Sequence, residues 1–181
     1  MDCDADISKT ARGDHLAFGR IVVAHQDRIF AYLGRMGLDS AMAEDVAQET
    51  FLRVWRHAGK YTSWRGNLTT WILTIARNAA LTRLSRPEGR AETPVNSETL
   101  EIASEAPRPD EQLVALQRQH RLQAALACLS AVDRSLLSSS YIDGLDLAAI
   151  ANIEGCSIGA TKVRLHRARQ RLRQILEADN E

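Results

Sequence analysis

Apolar residues along this 181-residue chain recur mostly three or four positions apart, the spacing of helices that bury one face. From Asp14, a broad stripe of Phe18, Ile21, Val22, Ile29, Tyr32, Leu33 and Met36 predicts a first helix with a bend near His25, stopped at Gly37. A second helix opens near Asp39 or Ser40 and buries Val46, Ala47, Phe51, Val54 and Trp55. A third runs from about Leu68 to Leu84 with Ile72, Ile75, Ala76 and Ala79 inward, leaving Arg77, Asn78, Arg83 and Arg86 outside. Pro87 ends it. Periodicity resumes at Asp110 or Glu111, with Leu113, Leu116, His120, Leu122 and Ala125. Leu126, Leu129, Val132, Leu136, Leu137 and Tyr141 then supply a second core. Residues 1–13 are small, acidic and polar, and are expected to fray. No segment alternates with a strand period, so the expected fold class is all-α.

The last third of the chain is the most specific. Asp146 caps a short helix over 147–153, and Gly155 supplies the positive φ that ends it cheaply. Ser157 caps the next helix, whose apolar stripe is Ile158, Thr161, Leu165, Ala168, Leu172 and Ile175. Between these lie Lys162, Arg164, Arg167, Arg169, Arg171 and Arg173, with His166 and no acid. A helix, a tight glycine turn and a second, cationic helix form a helix-turn-helix, in which the second helix enters the major groove of DNA. An arginine-rich helix facing only water is the competing reading. Ser138-Ser139-Ser140 interrupts the preceding helix. Serine competes for backbone hydrogen bonds there, and the pattern gives it no role.

The formal net charge of zero hides three zones. Residues 1–86 are net +3, residues 87–112 net −5 and residues 113–181 net +2. Residues 87–109 also contain all 4 prolines and little apolar pattern, as expected of a flexible acidic linker. The organisation is therefore two small helical domains, 14–86 and 111–177, joined by a linker over 87–110. Cys3, Cys128 and Cys156 are odd in number and show no ligand spacing, so neither disulfides nor a metal site is expected. No carboxylate pair, nucleophile triad or phosphate-cradling loop stands out. The expectation is a non-enzyme without cofactor or small-molecule substrate. With no leader-like start and no membrane-length apolar run, it is expected in the cytoplasm.

Two features suit partners. Asp45, Gln48, Glu49, Leu52 and Arg56 form a second stripe on the second helix, either solvated or open to a basic partner helix. Residues 57–67 interleave Tyr61 and Trp64 with Lys60 and Arg65. Such a loop can stack an unpaired base beside a neutralised phosphate, or its rings can simply cover the core.

Three motifs now add up. Residues 43–55 read Ala-Glu-Asp-Val-Ala-Gln-Glu-Thr-Phe-Leu-Arg-Val-Trp, residues 70–78 read Thr-Trp-Ile-Leu-Thr-Ile-Ala-Arg-Asn, and residues 159–169 close on Arg-Leu-His-Arg-Ala-Arg. Together with the acidic linker, they resemble the extracytoplasmic-function class of bacterial sigma factors over residues 14–177. The resemblance implies that Asp45, Gln48, Glu49, Leu52 and Arg53 bind the clamp coiled coil of the largest subunit of core RNA polymerase, whose β flap is a further partner. It implies that Tyr61, Trp64, Arg65, Asn67, Trp71, Arg77 and Asn78 capture a flipped base of the −10 promoter element. It places Lys162, Val163, Arg164, His166, Arg167 and Arg169 on the −35 element. Val163 departs from the serine usual in the family and offers apolar contact, as to a thymine methyl. A membrane-anchored anti-sigma factor is the implied inhibitor. The alternative class is a dimeric helix-turn-helix repressor or activator on a palindromic site. The linker and the Asp45, Gln48 and Glu49 stripe argue against it.

Overall fold

Most of the helices begin at side chains that accept a backbone N–H of their first turn, which fixes where each of these starts. A computed structural model describes residues 3–86 and 109–178. Among these are eight α-helices: α1 Cys3–Thr10, α2 His15–Arg35, α3 Ser40–His57, α4 Leu68–Leu84, α5 Pro109–Ala127, α6 Ala131–Tyr141, α7 Leu147–Glu154 and α8 Ile158–Ala178. Asp14 accepts from Ala17 N at 3.0 Å, Asp39 from Met42 N at 2.8 Å and Asp146 from Ala149 N at 2.7 Å. Gly155 adopts φ 64° and closes α7 in the left-handed conformation, as its sequence position predicts. The linker expected over 87–110 falls almost wholly outside the described residues.

Helices α2, α3 and α4 enclose one core, centred on Ile21, Ile29, Leu33, Val54, Ile72 and Leu73. Helices α5 to α8 enclose a smaller one around Leu129, Leu136, Ile150, Leu165 and Ala168. His25 is buried and hydrogen-bonded, its Nδ1 lying 2.9 Å from Ile21 O and its Nε2 3.3 Å from Thr69 Oγ1. The bend expected there leaves α2 a single helix.

Three expectations need correction. Residues 3–10 are not frayed but form α1 against α2. Ile7 inserts into the first core, and Asp6 pairs with Arg20, whose Nη2 stands 2.5 Å from Oδ1. Leu116 and Leu122 were expected inside but are exposed. Arg121 reaches the carbonyl of Leu176 in the last turn of α8, so the earlier turns of α5 run past the end of their partner. Tyr141 is also exposed, its hydroxyl accepting from Arg169 at 3.2 Å.

The hydrogen-bonded Arg20 guanidinium holds the Asp6 carboxyl below its usual range. A depressed folded-state pKa contributes stability above the ordinary aspartate value, and that contribution is lost as pH falls through the lowered one. Acidification below about pH 4 is therefore expected to undock α1, read from the Ile7 methyl resonance by NMR. In Asp6→Asn that dependence should vanish.

The two cores touch. Helix α7 packs on α4 and α6 packs on α2, with Ile153 of α7 buried in the first core. Tyr32 Oη lies 2.7 Å from Ser135 Oγ, and Ser135 Oγ lies 2.8 Å from Glu154 Oε1. A carboxylate only accepts, so the serine proton goes to Glu154 and the phenol donates to the serine. Burial pushes the Tyr32 phenol up to about 12, so the donor proton stays in place even in alkaline conditions that would ionise an ordinary phenol. Arg35 donates to Ser138 and, at 3.1 Å, to both oxygens of Asp143. Ser138, from the serine run that the sequence pattern left without a role, thus faces the neighbouring domain, whereas Ser139 Oγ is buried without a hydrogen-bond partner.

Candidate polymerase and promoter surfaces

On α3 the polar stripe forms as spaced. Asp45 and Gln48 are exposed, and Leu52 stands among them with 48% of its surface accessible. Glu49 and Arg53 are half-buried and pair one helical turn apart at 2.6 Å. Asp45, Glu49 and Arg53 border a groove whose other wall is Thr82, Arg83 and Arg86 of α4. One rim of the groove is thus mainly acidic and the other basic, and Arg83 Nη1 is buried there without a hydrogen-bond partner.

The loop before α4 is built from two single 3-10 turns, Ala58–Lys60 and Ser63–Arg65. Its two aromatic residues separate. Tyr61 is half-buried, its ring 5.5 Å from that of Trp71 and its hydroxyl 2.9 Å from Asp4 Oδ1. Trp64 has 80% of its surface accessible. The ring that could stack an unpaired base is therefore Trp64, while Tyr61 and Trp71 brace the loop from beneath. The Arg65 side chain lies outside what the structure describes.

Asn67 is the N-cap of α4. Its Oδ1 accepts from Thr70 N at 2.8 Å and from Thr70 Oγ1 at 2.9 Å. Asn67→Ala should cost about 1 kcal/mol in urea denaturation, and Asn67→Asp should restore it because a carboxylate caps equally well.

Arg77 is the largest departure. It was expected outside, yet it is buried between α4 and α7. Its Nε stands 2.8 Å from Glu154 Oε1 and its Nη2 2.5 Å from Oε2, a two-pronged pair closed off from water. Its neighbour Asn78 remains exposed. Glu154, Ser135 and Asp143 were not singled out from the sequence, and Ser138 only as part of a serine run without a role. The one hint was polar residues at positions where the α6 pattern called for core.

Helix α8 rests on Thr161, Leu165 and Ala168 and presents Lys162, Val163, Arg164, His166, Arg167 and Arg169 to solvent. Arg171 instead pairs with Asp133 of α6 at 2.7 Å, and Arg173 with Glu177. The cations outside ion pairs are therefore concentrated toward the N-terminal half of the helix, together with exposed Val163. That combination fits a groove lined by phosphates and base edges.

Sigma-70 region 2 matches residues 21–90, and Sigma-70 region 4 matches residues 119–172. The chain is 34% identical over 173 residues to the ECF RNA polymerase sigma factor SigL of Mycobacterium tuberculosis, covering 96% of both. It is 30% identical over 177 residues to the ECF RNA polymerase sigma factor SigW of Bacillus subtilis, covering 94% of both. Among solved structures, RpoE in complex with the anti-sigma factor NepR from Bartonella quintana superposes with a TM-score of 0.62 at 26% identity, covering 90% of this chain and 98% of that one. CnrH in complex with the cytosolic domain of CnrY gives 0.69 at 23% identity, covering 98% and 99%, a likeness of fold. Two matched sigma regions in order, each holding its polar or cationic face open, and relatives alike from end to end place this chain among the ECF RNA polymerase sigma factors.

Proposed function

We propose that this sigma factor divides its work as its two cores divide the chain. Residues 14–86 dock on core polymerase and capture the −10 element, and residues 111–177 read the −35 element. The exposed α3 stripe of Asp45, Gln48 and Leu52, edged by the Glu49–Arg53 pair, is the surface for the polymerase clamp. The observation that carries the promoter reading is the α8 face, where Lys162, Arg164, His166, Arg167 and Arg169 stand exposed over a buried apolar stripe. The chain supplies binding energy rather than covalent chemistry, so it acts as a specificity subunit and not as an enzyme. Unstacking a base costs a few kcal/mol, which stacking on a ring such as Trp64 can offset.

Two solved neighbours are complexes, one with an anti-sigma factor and one with a cytosolic domain. A similar inhibitor, anchored in the membrane, is the proposed partner here, and the β flap is the proposed contact of the second domain. The cytoplasm is the proposed place of work, and no helix among the described residues is long and apolar enough to cross a membrane. The test is run-off transcription with purified core polymerase and a promoter library. Defined start sites that appear only when this chain is added support the reading. A stable dimer that binds a palindrome and leaves polymerase without direction defeats it.

A further inference from the structure

An acid beside a loop meant for DNA is out of place, because a carboxylate opposes approaching phosphates. Asp4 is such an acid. It lies in the first turn of α1, and its carboxylate stands against the loop that carries Trp64. A carboxylate in a first turn offsets the helix dipole wherever it points, so that role does not require contact with the loop. Its neighbour Asp6 is engaged by Arg20 of α2. Asp4 turns the other way.

Helix α1 touches two elements, α2 and the 3-10 turn Ala58–Lys60. Ile7, buried in the first core, fastens it to the domain. On the loop side, Ala11 stands 4.0 Å from where a Cβ on Gly59 would be. The Tyr61 hydroxyl lies 2.9 Å from Asp4 Oδ1 and 3.3 Å from Gly66 O. Both partners only accept, so the single phenolic proton goes chiefly to the nearer carboxylate, with the carbonyl as a second acceptor. Tyr61 precedes Trp64 and Gly66 follows it. One hydroxyl therefore ties both flanks of the Trp64 turn to α1. Gly66 has φ 134°, a conformation open mainly to glycine, so the chain turns sharply where it is held. The Tyr61 ring leans on Trp71 of α4, with 5.5 Å between centres.

Trp64 has 80% of its surface accessible, so where its ring stands depends on where the loop is held. A loop already fixed in its bound shape loses less entropy on binding. An ionised acceptor fixes it better than a neutral one. We propose that α1 belongs to the base-capturing apparatus: Asp4 is a positioning residue that, through the Tyr61 hydroxyl, holds the loop in the shape that presents Trp64 to an extruded base. This rests on the functional reading above for the loop. Helix α1 then serves strand opening and not polymerase docking.

The test uses holoenzyme assembled from the full chain and core polymerase, on the promoter that gives the strongest start in the run-off assay. Permanganate, which oxidises unpaired thymines, follows opening over time. Asp4→Ala should slow opening about three- to tenfold. Core affinity should be unchanged, and in the free chain the Ile7 methyl resonance should stay in place. The sign is informative: removing a negative charge by itself favours DNA, so general electrostatics would speed opening. Asp4→Asn, whose amide oxygen still accepts from the phenol, should recover most of the rate. Tyr61→Phe should fall as far as Asp4→Ala, and the double variant no further than either. If Asp4→Ala releases Ile7, Tyr61→Phe reads the same bond from the loop with α1 untouched. Wild-type opening in Asp4→Ala or Tyr61→Phe, additive effects in the double variant, or a parallel loss of core affinity would each overturn the proposal. Failure of the functional reading shows separately, as a Trp64→Ala variant that opens the promoter at the wild-type rate.

Discussion

Asp45→Arg combined with Glu49→Arg is expected to reduce binding to core polymerase at least a hundredfold while leaving the fold intact. Asp45 is exposed near the middle of α3, and Glu49 is half-exposed one turn later. The fold loses only the Glu49–Arg53 pair, an exposed i,i+4 contact worth about 0.3–0.5 kcal/mol. The interface loses far more, because placing like charges against a basic partner helix costs several kcal/mol. The melting temperature should therefore move by only a few degrees while co-purification with core disappears. A double variant that co-purifies at the wild-type yield removes this face from consideration.

Ile72→Ala is expected to produce the largest loss of stability. Ile72 is fully buried on α4, in the core that α4 shares with α2 and α3. Truncating a buried isoleucine costs about 2–5 kcal/mol through lost transfer energy and the cavity left behind. In a domain of this size each kcal/mol lowers the melting temperature by about 4–8 °C, so a fall of roughly 10–30 °C is anticipated by calorimetry. Leu116→Ala, at an exposed position of α5, should change it by less than about 0.5 kcal/mol. Equal effects at the two sites would contradict the packing described.

The helices were legible where a cap and an apolar stripe agree. Asp14, Asp39 and Asp146 each stand one residue before a helix that the stripe alone would place within a turn. The faces of α3 and α8 were legible for the same reason, since the charged positions fall where the stripe is not. Helix α1 was not legible, because one buried isoleucine makes no stripe and its polar ties, Asp6 to Arg20 and Asp4 to Tyr61, are tertiary. Periodicity also says which side of α5 is apolar, but not how far α8 extends to cover it. Arg77 shows the limit most clearly. Its spacing assigns it to the outside of α4, and only the arrival of Glu154, far along the chain, turns that outside into an interior. Asn67 lies between these cases. The sequence marks it as part of the promoter loop, whereas its side chain is also committed to starting α4.

The serines of α6 carry a consequence for how such a protein survives in the cell. A surface dry in one arrangement and wet in another cannot be made of leucine without risking adhesion to every other apolar patch it meets. The hydroxyls at 135 and 138 accept from the neighbouring Tyr32 and Arg35, and a hydroxyl can accept equally from water. Local opening at these two positions would thus bare hydroxyls to water and not an adhesive apolar face.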